Sequence, residues 1–544
     1  MSKKMTGLRL MSGMALGLLM VAATPWEAPV ADAAQAGDVA QVRALLQQGA
    51  DANAAQADGL TALHWAAMHN SKEIAEVLLY AGATVKPLTR VGGYTPLHLA
   101  ARAGNEEVAR TLLDAGASAN EWTTTGVTAM HFAAQANAAS TIRTLAEFGA
   151  DLDALDAFQS RTPLVFAAGR NATAAIATLL ELGADPSITT DLKDYTARAD
   201  FDSDDRARRA RVRAAETGTE PAGDPRLPPG FMPPGQTPPD STAADPDADP
   251  DDPDADPDDP DDPDADPDAD PDYTDPDADP DTPAAAQIRA LSSTEQIGVQ
   301  GGLTPLHYAA RQGHIEAATL LLDNGADIDQ VSGGDLSSPL LVAVINGNYD
   351  LARILVERGA DVNLVSDDGA GPLFATLNIE WSLRTWYPQP QAYRVQETSY
   401  LDLMEQLLEA GADPNQRVET HIWYAAYNAG RMGVDFTGAT PFWRAAYATD
   451  VAAMRLLHSY GADPNIWTIK LPSRQRFGAP PMPDEEDEDE LDPSGLPEIP
   501  VGGPGVHPIH AASGVGHARR HAVAADAAAG DLAFEHDGRT VVRA

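Results

Sequence analysis

The phrase TPLHLAARAGN at Thr95–Asn105 recurs at near-constant spacing, and this constrains the fold more than any other feature of the chain. Related phrases start at Thr61, Thr128, Thr162 and Thr304, with weaker ones at Ser338, Gly371, Thr440 and His507. Successive starts lie 34, 33, 34, 142, 34, 33, 69 and 67 residues apart. A second phrase, GADAN at Gly49, keeps the same phase at Gly82, Gly116, Gly149, Gly183, Gly325, Gly359, Gly411 and Gly461. A period near 33 means stacked copies of one supersecondary unit.

Each copy spells two short helices and a turn. Thr95 offers a hydroxyl to cap a helix, and Pro96 suits the first helical position. Leu97, Ala100 and Ala101 give one apolar face, and Gly104 ends the helix. Glu106 and Glu107 open a second helix at its positive end, Val108, Leu112 and Leu113 form its stripe, and Gly116 supplies a left-handed cap. Helices this short are marginal alone, so each copy must bury its Leu and Ala faces against neighbours.

These TPLHxAA runs and GADxN ends resemble the ankyrin-repeat family, over residues 29–190 and 301–467. The resemblance implies an all-α solenoid of helix–turn–helix units with projecting hairpin fingers, and protein binding as its usual work. It also implies that His64, His98, His131 and His307 bridge the turn beside Thr61, Thr95, Thr128 and Thr304. Geometry agrees on a structural role: stacked helices lie roughly 8–10 Å apart, whereas zinc ligands all lie about 2 Å from one ion. Val165, Leu341, Phe374 and Trp443 replace the histidine elsewhere. The next position (Trp65, Leu99, Phe132, Phe166, Tyr308) reads as core packing rather than a binding stripe.

Residues 1–23 read as a secretory signal: Lys3, Lys4 and Arg9, then an apolar stretch from Leu10 to Ala23 ending in small residues. That stretch is shorter than the roughly 20 residues a bilayer span needs. The expectation is an exported, periplasmic or secreted protein with no membrane span in the mature chain. The chain has no Cys, which excludes disulfides, thiol chemistry and a lipoprotein anchor.

The 544 residues carry a net charge of −44, and much of it is local. Asp245–Asp281 holds 20 Asp, 10 Pro and no base, and Asp484–Asp492 adds eight acids. Such segments cannot bury apolar surface, so residues 191–300, Arg-rich then Asp/Pro-rich, read as a disordered linker. Residues 468–504 read as an acidic, Pro-rich loop. The Asp run lacks the turn glycine and terminal Glu of a calcium loop, leaving only weak Ca²⁺ association. The acid argues against nucleic acid, even beside RARRARVR at Arg206–Arg213. Register alone allows one continuous stack with a long finger insertion, or two stacks joined by a linker.

Val30–Asn53 lacks the TPLH start and reads as an N-terminal cap preceding four units, its face made polar by Asp32, Gln35 and Asp38. Residues 505–544 begin another repeat that fails, with a poorly packed tail. There His507, His510, His517 and His521 form only a weak metal pattern. No nucleophile elbow, phosphate loop or zinc-protease motif stands in a credible context, so no catalytic residue, metal ligand or cofactor is assigned.

For binding, the finger positions Lys86, Arg90, Tyr94, Trp122, Phe158 and Arg161 are candidates. Two aromatic insertions, residues 381–400 and 416–438, add Trp381, Trp386, Tyr387, Tyr393, Trp423, Tyr424 and Tyr427. Long loops rarely stay aromatic without burying their rings or using them, and Trp and Tyr anchor interfaces. The insertions either fold back over neighbouring helices or dock a protein partner. A ligand- or metal-ion-binding module built on the insertions, the Asp run or the His-containing tail is the alternative to a scaffold.

Overall fold

A computed structural model of the chain describes residues 28–198, 201, 208–209, 295, 297–381, 392–420, 422, 435–470 and 503–513. The signal segment, almost all of the Arg- and Asp-rich stretch, Trp386, Tyr387, Trp423, Tyr424, Tyr427, the acidic loop and the tail beyond Ser513 lie outside the described residues. The described architecture is an all-α repeat solenoid. Packing divides it into two compact units. The first holds residues up to Asp191 with Thr304–Ala309 and His314–Asp327; the second holds Leu192–Leu303, Ala310–Gly313 and Ile328 onward.

In the first unit the helices come in pairs: α1 (Pro29–Gln35) with α2 (Val39–Gln47), α3 (Ala62–Met68) with α4 (Lys72–Tyr80), and α5 (Pro96–Ala103) with α6 (Glu106–Asp114). Then follow α7 (Ala129–Gln135) with α8 (Ala139–Glu147), and α9 (Pro163–Ala168) with α10 (Thr173–Leu182). First helices stack on first helices and second on second. Ala66, Ala67, Ala100, Ala101, Ala133, Ala134, Ala167 and Ala168 are fully buried, and their small side chains let the layers approach. Val108, Leu112 and Leu113 are buried on α6, and Gly104 ends α5 in a left-handed conformation with φ 72°. The polar cap residues have a use: Gln56 of the first finger donates from Nε2 to Asp32 Oδ1 (2.7 Å) and Gln35 Oε1 (3.0 Å).

The chain after the long insertion re-enters this unit. Helix α11 (Pro305–Gln312) begins at Thr304, and α12 (Ile315–Asp323) packs against α10. Asn171 Oδ1 accepts the Ala317 amide at 3.1 Å, and Asn171 Nδ2 donates to Glu316 Oε2 at 2.9 Å. The insertion therefore interrupts the sequence without ending the stack of second helices in this unit.

In the second unit the insertion has a closed stem: β1 (Leu192–Asp194) pairs antiparallel with β2 (Val299–Gly301) in the register Leu192 to Gly301. Helices α13 (Pro339–Ile345), α14 (Tyr349–Glu357), α15 (Pro372–Glu380), α16 (Tyr400–Glu409), α17 (Pro441–Tyr447), α18 (Val451–Ser459) and α19 (Pro508–Ala512) follow. Ile469 pairs with Pro504, so the acidic loop also leaves and returns side by side. The core gathers Phe374, Val418, Ile422, Phe436, Trp443 and Tyr447, with Trp443 and Tyr447 stacked at 5.4 Å. Ends of the second aromatic insertion, Val418, Ile422 and Phe436, are thus core residues.

The motif histidines are structural. His98 Nδ1 accepts the Thr95 amide (3.0 Å) and lies 2.9 Å from the Thr95 hydroxyl. An Nδ1 that accepts must be unprotonated, so the proton sits on Nε2, which donates to the Glu121 carbonyl at 2.9 Å. His64 and His131 repeat this with Thr61 and Tyr94, and with Thr128 and Arg161. His307 accepts from Thr304 in the same way. Each ring closes a capping box in its own repeat, and in the first three it also reaches the next finger. Burial pushes the His98 pKa down to about 4, against the opposing pull of the Glu121 carbonyl, and burial lowers His64 and His131 too. With the folded pKa below the unfolded 6.5, the neutral ring's contribution is complete above about 6.5 and is lost as pH falls toward about 4.

His98→Leu should cost about 1–3 kcal/mol at pH 7 by stranding Thr95 and Glu121 groups. Denaturant titrations at pH 7 and pH 5 are expected to show the gap between wild type and variant shrinking at pH 5. A gap independent of pH would contradict the neutral-tautomer bridge. In the same titration Leu112→Ala should cost about 2–5 kcal/mol, the usual loss for a fully buried leucine.

Candidate protein-interaction surface

The fingers of the first unit are tight turns held at their base, with bridges at Ala55–Thr61 and Trp122–Thr128 in place of longer strands. Backbone bonds close each turn, as from the Thr89 amide to the Tyr94 carbonyl, Thr123 to Val127, and Asp156 to Arg161. Other bonds tie each finger to the one before: Arg90 to Asp58 (2.8 Å), Thr124 to Gly92 (3.0 Å), Ala157 to Thr125 (3.0 Å) and Asp191 to Gln159 (2.8 Å). The fingers are thus tied one to the next through their backbones and form a continuous ledge.

The candidate finger residues divide into two groups. Trp122 and Phe158 stand 70% and 64% exposed, and Lys86 and Arg90 are exposed as well. Tyr94 and Arg161 instead build the turns. The Tyr94 ring lies 5.7 Å from Phe132 with the Arg102 guanidinium over it. Arg161 binds the buried Asp156 carboxylate (2.7 Å) and lies over Phe166 at 4.6 Å. Burial would raise the Asp156 pKa, but hydrogen bonds and charge from Arg161 hold it below the usual carboxylate range. Both arginines look equivalent in sequence. Only packing shows that Arg161 is held by a buried carboxylate.

Sequence reasoning missed further exposed apolar residues on the same ledge: Leu88, Val91 and Leu155. Leu88, Trp122 and Leu155 each immediately precede the turn base of successive fingers, so they form a row. The available signal was a large apolar residue at a turn position, where small or polar residues are usual. Contiguous exposed apolar surface of this kind marks an interaction site.

A carboxamide ladder lies behind the fingers. Asn53 donates to the Gly82 carbonyl and accepts the Thr84 amide, and Asn120 does the same to Gly149 and Asp151. In the second unit Asn363 and Asn415 repeat it toward Gly411 and Asp413, and toward Gly461 and Asp463. The last residue of the GADAN phrase is therefore a latch between repeats.

The described insertion aromatics in the second unit are anchored rather than free. Trp381 Nε1 and the Tyr400 hydroxyl both donate to Asp450 Oδ2, at 2.9 and 2.8 Å. The Trp381 carbonyl accepts from the buried Arg444 at 3.0 Å, and Arg444 Nε donates to Asn378 Oδ1 at 3.1 Å. Tyr393 packs beside Tyr349 at 6.3 Å. In the finger turn, burial pushes the Asp368 carboxyl up to about 6 although the Ser366 hydroxyl donates to it. In the tail start, His507 and His510 pack on Trp467 at 4.8 and 6.0 Å. Among the described residues no group of three or more His, Asp or Glu is placed to hold a metal, and no helix is long and apolar enough to cross a membrane.

Stacked helix pairs, latched from repeat to repeat and carrying a ledge of turns, define a helical-repeat interaction module. A family model described as ankyrin repeats, in three copies, matches residues 30–122, 116–190 and 285–366. The chain carries ankyrin repeats over these residues. No curated protein matches it.

Trp122→Ala and Phe158→Ala should leave stability within about 0.5 kcal/mol, as for exposed positions. Arg161→Ala should cost about 3–5 kcal/mol by leaving Asp156 buried and unpaired. Thermal unfolding of the three variants separates the surface group from the building group.

Proposed function

We propose that this protein is a non-catalytic scaffold, exported to the periplasm, that binds protein partners through the finger ledge of its first unit. The carrying observation is the set of exposed apolar side chains on the fingers, Trp122 and Phe158 foremost, over turns closed by backbone hydrogen bonds. Trp anchors binding energy when a partner desolvates it, and a rigid ledge spends little entropy on docking. Lys86 and Arg90 add basic charge to the fingers. The insertion aromatics Trp386, Tyr387, Trp423, Tyr424 and Tyr427 supply a second contact region in this reading, while Trp381 and Tyr393 hold the insertion to the second unit. The basic start and apolar stretch of residues 1–23 support export, and weak Ca²⁺ association with the Asp run accompanies it without a fixed site.

Photo-crosslinking residues placed at 122 and 158 in cells should capture one protein repeatedly, and Trp122→Ala should weaken that capture at least about tenfold, the loss of a hot-spot residue. Mass measurement of the mature chain is expected to give a start at Thr24. Absence of any repeated capture at ample expression would overturn the scaffold, and an uncleaved cytoplasmic chain would overturn export.

A further inference from the structure

The carboxamide ladder of the first unit breaks at Lys86; further on, Asp153 stands in the Asn place and accepts the Asp185 amide, and Ser187 stands there after Gly183. Lys86 lies four residues after Gly82, the place that Asn53 holds after Gly49 and Asn120 after Gly116. The groups an Asn would serve there, the Gly116 carbonyl and the Ser118 amide, find no partner among the described residues. Lys86 is exposed and makes no hydrogen bond or ion pair with the described residues.

The stack opens at this same place. A cleft of about 570 Å³ is lined by Leu79, Val85, Lys86, Pro87 and Ala115, with two small residues completing it. The lining is mostly apolar. The segment from Gly82 to Thr95 carries Lys86 and Arg90 and no acid, in a chain of net charge −44. A missing latch, an open amide, an unpaired ammonium and an apolar cleft therefore coincide.

We propose that this cleft docks a partner-protein segment in which a carboxylate side chain sits among aliphatic ones. One carboxylate oxygen accepts the Ser118 amide, in the place of the missing Asn oxygen. The other accepts from the Lys86 ammonium, a charge-assisted bond stronger than the neutral latch. The flanking aliphatic side chains fill the cleft against Leu79, Val85, Pro87 and Ala115. A cationic segment meets the Lys86 charge and leaves the Ser118 amide open. A carboxamide fills the latch but leaves the ammonium unpaired, and so binds less well. The inference rests on the scaffold reading and narrows it to one locus and one partner chemistry.

The test is fluorescence anisotropy on the full chain with three labelled heptapeptides, each with aliphatic residues flanking a central Asp, Asn or Lys. The Asp peptide is expected to bind best, to weaken with salt, and to lose at least about tenfold in affinity with Lys86→Glu. Lys86→Asn rebuilds the latch, so it should raise the thermal midpoint and also lose the Asp peptide. Equal binding of the Asp and Lys peptides, no binding of any, or binding unchanged by Lys86→Glu would overturn the docking site. Failure here is distinct from failure of the scaffold: crosslinks from positions 122 and 158 that persist undiminished in Lys86→Glu keep the scaffold and remove this site.

Discussion

A neutral imidazole bonded on both of its nitrogens is the interaction on which the first unit depends. Each motif ring accepts from the threonine of its own repeat, and His64, His98 and His131 donate to a carbonyl of the next finger. One side chain thereby caps a short helix and fixes where the following turn begins. Neither job tolerates a charge, because protonating Nδ1 removes the acceptor that the threonine amide needs. Burial supplies the required low pKa at no separate cost, since the same packing that closes the layers excludes water from the ring.

The second unit reaches a similar geometry by other means. In α13, α15 and α17 the histidine position carries Leu341, Phe374 and Trp443, and each is buried. Trp443 keeps one polar contact, donating from Nε1 to the Val506 carbonyl at 2.8 Å, while its ring stacks on Tyr447. Packing area replaces the hydrogen-bonded bridge, consistent with layers that need only a filled space and a satisfied cap. The finger ledge follows from the same economy. Turn bases and finger-to-finger bonds hold the turns in place, and Trp122 stands exposed among their side chains.

Much of this was legible along the chain. Thr95, Pro96, Gly104 and Gly116 announce helix starts and stops by local stereochemistry, and the structure places them there because nothing distant competes with those preferences. The latch role of Asn53 and Asn120 was not legible, because the phrase that contains them marks a period without revealing that its last residue bonds to the following repeat. The site was legible in part. Trp122 and Phe158 are exposed as finger residues should be, but Arg161, three residues beyond Phe158, is spent on a buried Asp156 that is also a finger residue. Lys86 was readable as a departure from the GADAN phrase once the function of the Asn is known.

The sequence by itself determined the repeat, its period, its family and the structural nature of its histidines, because these rest on contacts within one 33-residue unit or between identical neighbours. Tertiary structure decided what depends on non-repeating neighbours. It brought α12 onto α10 across the long insertion and closed the stem of that insertion between β1 and β2. It turned Trp381 and Tyr400 toward Asp450, and it opened a cleft where one latch is missing. Those outcomes are set by which surfaces meet in space, and a residue's exposure is a property of the meeting rather than of the residue.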